Sequence, residues 1–118
     1  MKTILLVDDM EDILSLVQEF LENSGFKIIT AIDGTQGLEA LKSQKIDLVI
    51  TDLFMSPMPG IEFIVKVKEK YPAMKIIAMS ASVGKMNFLQ VAKQMGALRI
   101  VEKPVEPDEL LKVIKEVL

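Results

Sequence analysis

Residues 47–64 read DLVITDLFMSPMPGIEFI, and the change of period within this stretch decides the fold. Residues 47–51 form an apolar, β-branched run that suits a strand buried on both faces of a parallel sheet. The run halts at a lone carboxylate, Asp52, and passes through a loop carrying Pro57, Pro59 and Gly60. It resumes with Ile61, Ile64 and Val67 at helical spacing. A strand, a loop and a helix in that order are a building unit of parallel α/β sheets.

The same unit recurs in both directions. Strand-like runs are predicted at residues 4–7, 27–31, 75–79 and 98–101. A helix over residues 11–24 has Ile13, Leu14, Val17, Phe20 and Leu21 on one face and Asp12, Ser15, Glu19 and Glu22 on the other, with Gly25 placed to end it. Leu38 and Leu41 mark a second, shorter helix, and a fourth is expected over residues 85–95. The last carries Leu110, Leu111, Ile114, Val117 and Leu118 on its apolar stripe, with Pro107, Asp108 and Glu109 suited to its first turn. Five strands alternating with five helices predict an open parallel α/β sheet, and right-handed crossovers put helices on both faces.

With 118 residues there is room for one domain, residues 1–118, and its 50% hydrophobic and 26% charged content is globular. The formal charge of −3 argues against nucleic acid as a direct partner. Without cysteine there is no disulfide or thiolate chemistry, and without histidine the commonest general base and zinc ligand are missing. No apolar run reaches the length of a membrane span, so the expected location is cytoplasmic.

In open parallel sheets ligands bind beyond the carboxyl ends of the strands. That edge collects Asp8-Asp9 after the first strand, Asp52 after the third, Ser80 after the fourth and Lys103-Pro104 after the fifth. The second ends near Thr30 and Asp33 with no clear chemical candidate. Each residue has an ordinary reading: Asp9 or a neighbour as a helix cap, Asp52 as a turn residue, Lys103 as a solvated lysine. Together they form a pattern that coincidence explains poorly. Three carboxylates brought together need a proton or a cation, and hard oxygen ligands suit Mg²⁺. The amine would neutralise a bound phosphoryl group and the hydroxyl would donate to it. A carboxylate can act as nucleophile without a general base.

Taken in order, ILLVDDMEDI, DLVITDLFMSPMPGIEFI, KIIAMSAS and GALRIVEKPVEPDELLKVI resemble the response-regulator receiver domains of two-component signalling over the whole chain. The resemblance implies a flavodoxin-like fold with strand order 2-1-3-4-5. It implies that Asp52 accepts a phosphoryl group, that Lys103 and Ser80 bind that group, and that the Lys103-Pro104 bond is cis. Mg²⁺ would be held by Asp8, Asp9, Asp52 and the backbone carbonyl of Phe54. Implied partners are a histidine kinase or histidine phosphotransfer protein, and a downstream protein or effector domain. A homodimer through the face from the fourth to the fifth helix is a further expectation, since Phe88, Leu89, Val91, Ala92 and Met95 form an arc wider than one buried stripe. The chain would be a switch and not an enzyme, assisting only its own phosphorylation and dephosphorylation.

Three positions depart from the family pattern. Ser56 stands where a proline is usual, Ile100 where an aromatic switch residue is frequent, and bulky Phe54 two places after Asp52. A degenerate receiver that binds partners without phosphorylation is the alternative. An aspartyl-phosphate phosphatase would need a second Asp at position 54. A flavodoxin-like carrier would need a Ser/Thr/Gly-rich phosphate loop where the acidic pair stands.

Overall fold

A computed structural model describes residues 1–81 and 88–118. The chain alternates β1 (Thr3–Val7), α1 (Glu11–Asn23), β2 (Lys27–Ala31), α2 (Gly34–Ser43), β3 (Leu48–Asp52), α3 (Gly60–Lys70), β4 (Lys75–Ala81), α4 (Phe88–Met95), β5 (Arg99–Lys103) and α5 (Pro107–Val117). All strand pairs are parallel and the order is β2-β1-β3-β4-β5, so the expected topology is the observed one. Strand β1 is the topological switch point, because the chain leaves it toward β2 and later returns to its other side at β3.

Alternation along the central strands builds two cores. Leu5 and Val7 of β1 and Val49 of β3 join Phe63, Ile64 and Val67 of α3 and Ala92 of α4 on one face. Ile4, Leu6, Leu48 and Ile50 join Leu14 and Leu21 of α1 and Leu110, Val113 and Ile114 of α5 on the other. Every residue of β3 is buried, which is why its sequence is continuously apolar up to its last two positions.

The α1 stripe faces the core as predicted, and Ser24 follows as C-cap with Gly25 at φ 98°. The predicted ends differ from the observed ones at β3, whose last residue is Asp52 and whose first is Leu48, and at β4 and β5. Strand β4 runs through Ser80 to Ala81 because both residues pair in register with Glu102 and Lys103. Lys103 is therefore the last residue of β5 and does not lie beyond it. On α5 the buried stripe is Leu110, Val113 and Ile114, with Leu111 only half-buried. The expected start of α4 at Lys85 lies outside the described residues, as do the side chains of Phe88 and Leu89. Within the described part of the arc Ala92 is buried, while Val91 and Met95 are exposed.

Candidate functional site

The carboxyl edge of the sheet gathers three acidic side chains and one amine. Strands β1 and β3 are neighbours with Val7 opposite Thr51, so the next residue of each, Asp8 and Asp52, come side by side. Backbone pairing continues past both: the Asp8 N–H donates to the Ala31 carbonyl at 3.1 Å and the Leu53 N–H to the Met79 carbonyl at 2.9 Å. Carboxylate oxygens of Asp8, Asp9 and Asp52 lie within 4.8 Å of one another. Asp8 and Asp52 are buried, and Asp9 is exposed.

Lys103 reaches this cluster from β5, across β4, a span of about 10 Å between strand axes. Its Nζ donates to Asp8 Oδ2 at 2.8 Å and stands 3.3 Å from Asp52 Oδ2. The Lys103–Pro104 peptide is cis, as the family resemblance implied, and Ser56–Pro57 is cis as well. The Asp8 carboxylate also accepts from the Met10 N–H at 3.0 Å. Met10, not Asp9, occupies the N-cap position of α1, and no side chain caps that helix. The capping explanation of the acidic pair therefore fails. Asp33, by contrast, is a cap, accepting from the Gln36 N–H at 2.8 Å.

The charges do not balance within the cluster. One amine faces two buried carboxylates and an exposed third. Burial, the largest influence, pushes the Asp52 carboxyl up; the Lys103 charge pulls it down and the Asp8 charge pushes it up again, and the net position is above the usual 3.8. For Lys103 burial pulls the amine down, but the hydrogen bond to Asp8 and the charge of Asp52 outweigh it and hold the amine above its usual range. A second positive charge would offset the burial and the Asp8 repulsion that together lift Asp52. Three clustered carboxylates of hard oxygen character, one of them open to water, fit an ion of the Mg²⁺ type.

Ser80 is buried on β4, one residue beyond Met79, which pairs with Asp52. The Phe54 N–H hydrogen-bonds to the Asp52 carboxylate, while its side chain is 47% exposed. Ile100 is half-buried against the core on the α3–α4 face. Gly60 begins α3 by closing onto the end of β3: its N–H donates to the Leu53 carbonyl at 2.8 Å, and a Cβ there would collide with the Asp52 carbonyl and Leu53 Cα. Any side chain at position 60 would push the acidic residue out of line.

One feature was not legible in the sequence. Beside Lys103 a groove of about 440 Å³ opens between α1 and the β5–α5 connection, lined by Met10, Ile13, Leu16, Phe20, Pro104 and Val105 among others. Leu16 is 67% exposed on its rim, and α1 carries Glu11, Asp12, Glu19 and Glu22 with no basic residue. Lone Leu16 and Met10 gave no periodic signal, and only the tertiary fold brings them to Pro104.

Known proteins place this geometry in context. The family described as response regulator receiver domain matches residues 4–115. Among curated relatives, the transcriptional regulatory protein GlrR of Escherichia coli is 35% identical over 115 residues, covering 98% of this chain and 26% of that protein. The chain thus spans about a quarter of that relative's length. Sporulation initiation phosphotransferase F of Bacillus subtilis is 32% identical over 98% of this chain and 92% of its own. Among solved structures, chemotaxis protein CheY4 of Vibrio cholerae superposes with a TM-score of 0.93 at 31% identity, covering 100% of this chain and 99% of that one. The response regulator TrrA of Thermotoga maritima, in complex with Mg²⁺ and BeF, gives 0.89 at 34% identity with both chains covered at 100%.

Proposed function

Because the chain belongs to the response regulator receiver domain family, we propose that it is a phosphorylation switch in which Asp52 takes a phosphoryl group from a phosphohistidine on another protein. The observation that carries this reading is Lys103 held between two buried carboxylates, Asp8 at 2.8 Å and Asp52 at 3.3 Å, with Asp9 beside them. An Asp52 oxygen attacks phosphorus, the nitrogen–phosphorus bond of the donor breaks, and the imidazole leaves with the electron pair. The product is an acyl phosphate. Asp8, Asp9, Asp52 and the Phe54 carbonyl would hold Mg²⁺, which supplies positive charge beside the phosphoryl oxygens as the group is transferred. Lys103 exchanges part of its contact with Asp52 for the new phosphoryl oxygens, and the Ser80 hydroxyl donates to another. These contacts favour one of two arrangements at the end of β4 and in α4, and the shift equals the difference in their affinities for the charged group.

The donor is a histidine kinase or phosphotransfer protein, acting in the cytoplasm. The groove beside Lys103 supports docking of such a donor, because a surface delivering a phosphoryl group to Asp52 must cover it. The acidic α1 rim favours a donor with basic residues around an apolar patch. The exposed Val91, Met95 and Leu98 favour the α4–β5–α5 face as the contact for a downstream protein, an effector domain or a second copy. One domain over residues 1–118 performs the whole switch. No helix among the described residues is long and apolar enough to cross a membrane.

Incubation with phosphoramidate and Mg²⁺, followed by weighing the intact chain, tests the reading. One phosphoryl group gained, and lost in Asp52→Asn, is the expected result. No gain in the native protein would leave a pure interaction module. Donor consumption without accumulation would point to a phosphatase.

A further inference from the structure

Among the described residues of helix α4, the C-terminal end is the part tied to its neighbours by backbone bonds. Of the side chains at residues 90–95 only Ala92 is buried. Beyond Met95 the helix closes on its own last turn and the chain then crosses to the sheet. The Gly96 N–H donates to the Ala92 and Lys93 carbonyls at 3.1 and 3.2 Å, and the Ala97 N–H to Ala92 at 3.0 Å. The Leu98 N–H crosses to the Ile76 carbonyl of β4 at 2.8 Å, and Ala97 is buried.

A residue of α3 completes this anchor. The Lys68 amine donates to the Pro72 carbonyl at 2.8 Å and the Met74 carbonyl at 3.0 Å, closing the turn between α3 and β4. Its methylene stem fills the space in front of Gly96, where an added Cβ would lie 2.7 Å from Lys68 Cγ. Gly96 has φ 132°, a conformation that side-chain-bearing residues rarely adopt. A surface lysine normally keeps several rotamers in water. This one has its head tied to two carbonyls and its stem laid against the helix terminus.

We infer that Lys68 pins the C-terminal end of α4, at residues 96–98, to the α3–β4 turn. Lys68 is a positioning residue, acting through the turn and Gly96. The pin is a property of the resting fold and stands whether or not Asp52 is phosphorylated.

Amide hydrogen exchange on the full chain, without any phosphodonor, tests the pin. In the native protein the amides of residues 96–98 exchange at least about tenfold more slowly than those of 91–93, since local opening follows local attachment. Lys68→Met keeps the stem and loses the two carbonyl bonds, so protection at 96–98 falls to the level of 91–93 while α1 and α5 amides hold theirs. Lys68→Arg, which keeps donors on a long stem, restores it. Even protection along α4 in the native protein overturns the inference. So does a Lys68→Met variant that leaves 96–98 unchanged, or one that loses protection equally in α1 and α5.

Discussion

Helices α3 and α4 lie side by side on one face of the sheet and pack into the same core, yet they are held in different ways. Helix α3 buries Phe63, Ile64 and Val67 completely, each contributing roughly 1.5–3 kcal/mol by removal from water. Over residues 90–95, helix α4 buries only Ala92, whose methyl contributes about 0.8 kcal/mol. Helix α3 also starts at Gly60, pressed against the carbonyl of Asp52, so it belongs to the rigid frame of the acidic site. Helix α4 follows β4, the strand that carries Ser80, and over residues 90–95 meets the core through Ala92. The described residues therefore combine a firmly buried wall, α3, with a neighbour, α4, that buries little over residues 90–95.

The contrast breaks most visibly in the core. Phe63→Ala is expected to lower unfolding free energy by about 3–5 kcal/mol in urea titration, because the cavity beneath Gly37 and Val7 cannot close. Ala92→Gly should cost about 1–2 kcal/mol, the sum of a lost methyl and a glycine within a helix. Equal losses at the two sites would remove the distinction between wall and neighbour.

The acidic corner gives the next effect, through pH and metal. The folded-state pKa of Asp52 lies above its unfolded value, so the folded chain holds that proton more tightly. Without a divalent ion, stability should therefore decline as pH rises from about the usual 3.8 through the raised value. Lys103 has the same slope at far higher pH: its raised pKa adds stability that is fully present below the usual 10.5 and is lost only as pH rises through the higher folded value. Mg²⁺ at a hundredfold excess over its dissociation constant should restore about 2.7 kcal/mol at neutral pH, read as a rise in Tm. Asp9→Asn should blunt that rise.

Smaller effects sharpen the comparison. Phe54 is exposed two residues after Asp52, and on the proposal that its ring shields an acyl phosphate there from water, Phe54→Asn should shorten phosphoryl lifetime about tenfold, or ~1.4 kcal/mol of barrier. Equal or longer lifetime in the variant would refute the shielding. Val91→Glu, on exposed α4 surface, should change stability by no more than about 0.5 kcal/mol. Its effect should appear in self-association of the phosphorylated protein. A native protein monomeric in both phosphorylation states, with partner binding indifferent to Val91→Glu, would remove the α4 face from the output.

Much of this was legible before any coordinates. Continuous apolar runs giving way to helical spacing located the β–α units, and the β-branched character of those runs, without polar alternation, identified a sheet covered on both sides. The edge rule then brought Asp8, Asp52, Ser80 and Lys103 to one rim. Local pattern could not say which member of Asp8-Asp9 is buried, because the deciding partner, Lys103, lies 95 residues away. It ended β4 at Met79 because Ser80 is polar, whereas cross-strand pairing with Glu102 and Lys103 carries the strand two residues further. Phe63 and Val113 were passed over because the stripes drawn through Ile61, Ile64 and Val67 and through Leu110 and Ile114 were complete without them. The groove at Pro104 joins residues that share no periodicity at all.

Reduction of the phosphorylated chain with borohydride, followed by peptide mapping, reports which carboxylate carried the group, since an acyl phosphate is converted to homoserine while free carboxylates survive. Homoserine at residue 52 alone, formed only when Mg²⁺ accompanied the phosphodonor, is the predicted outcome. Conversion at Asp8 or Asp9, or equal labelling with the ion chelated, would contradict the switch.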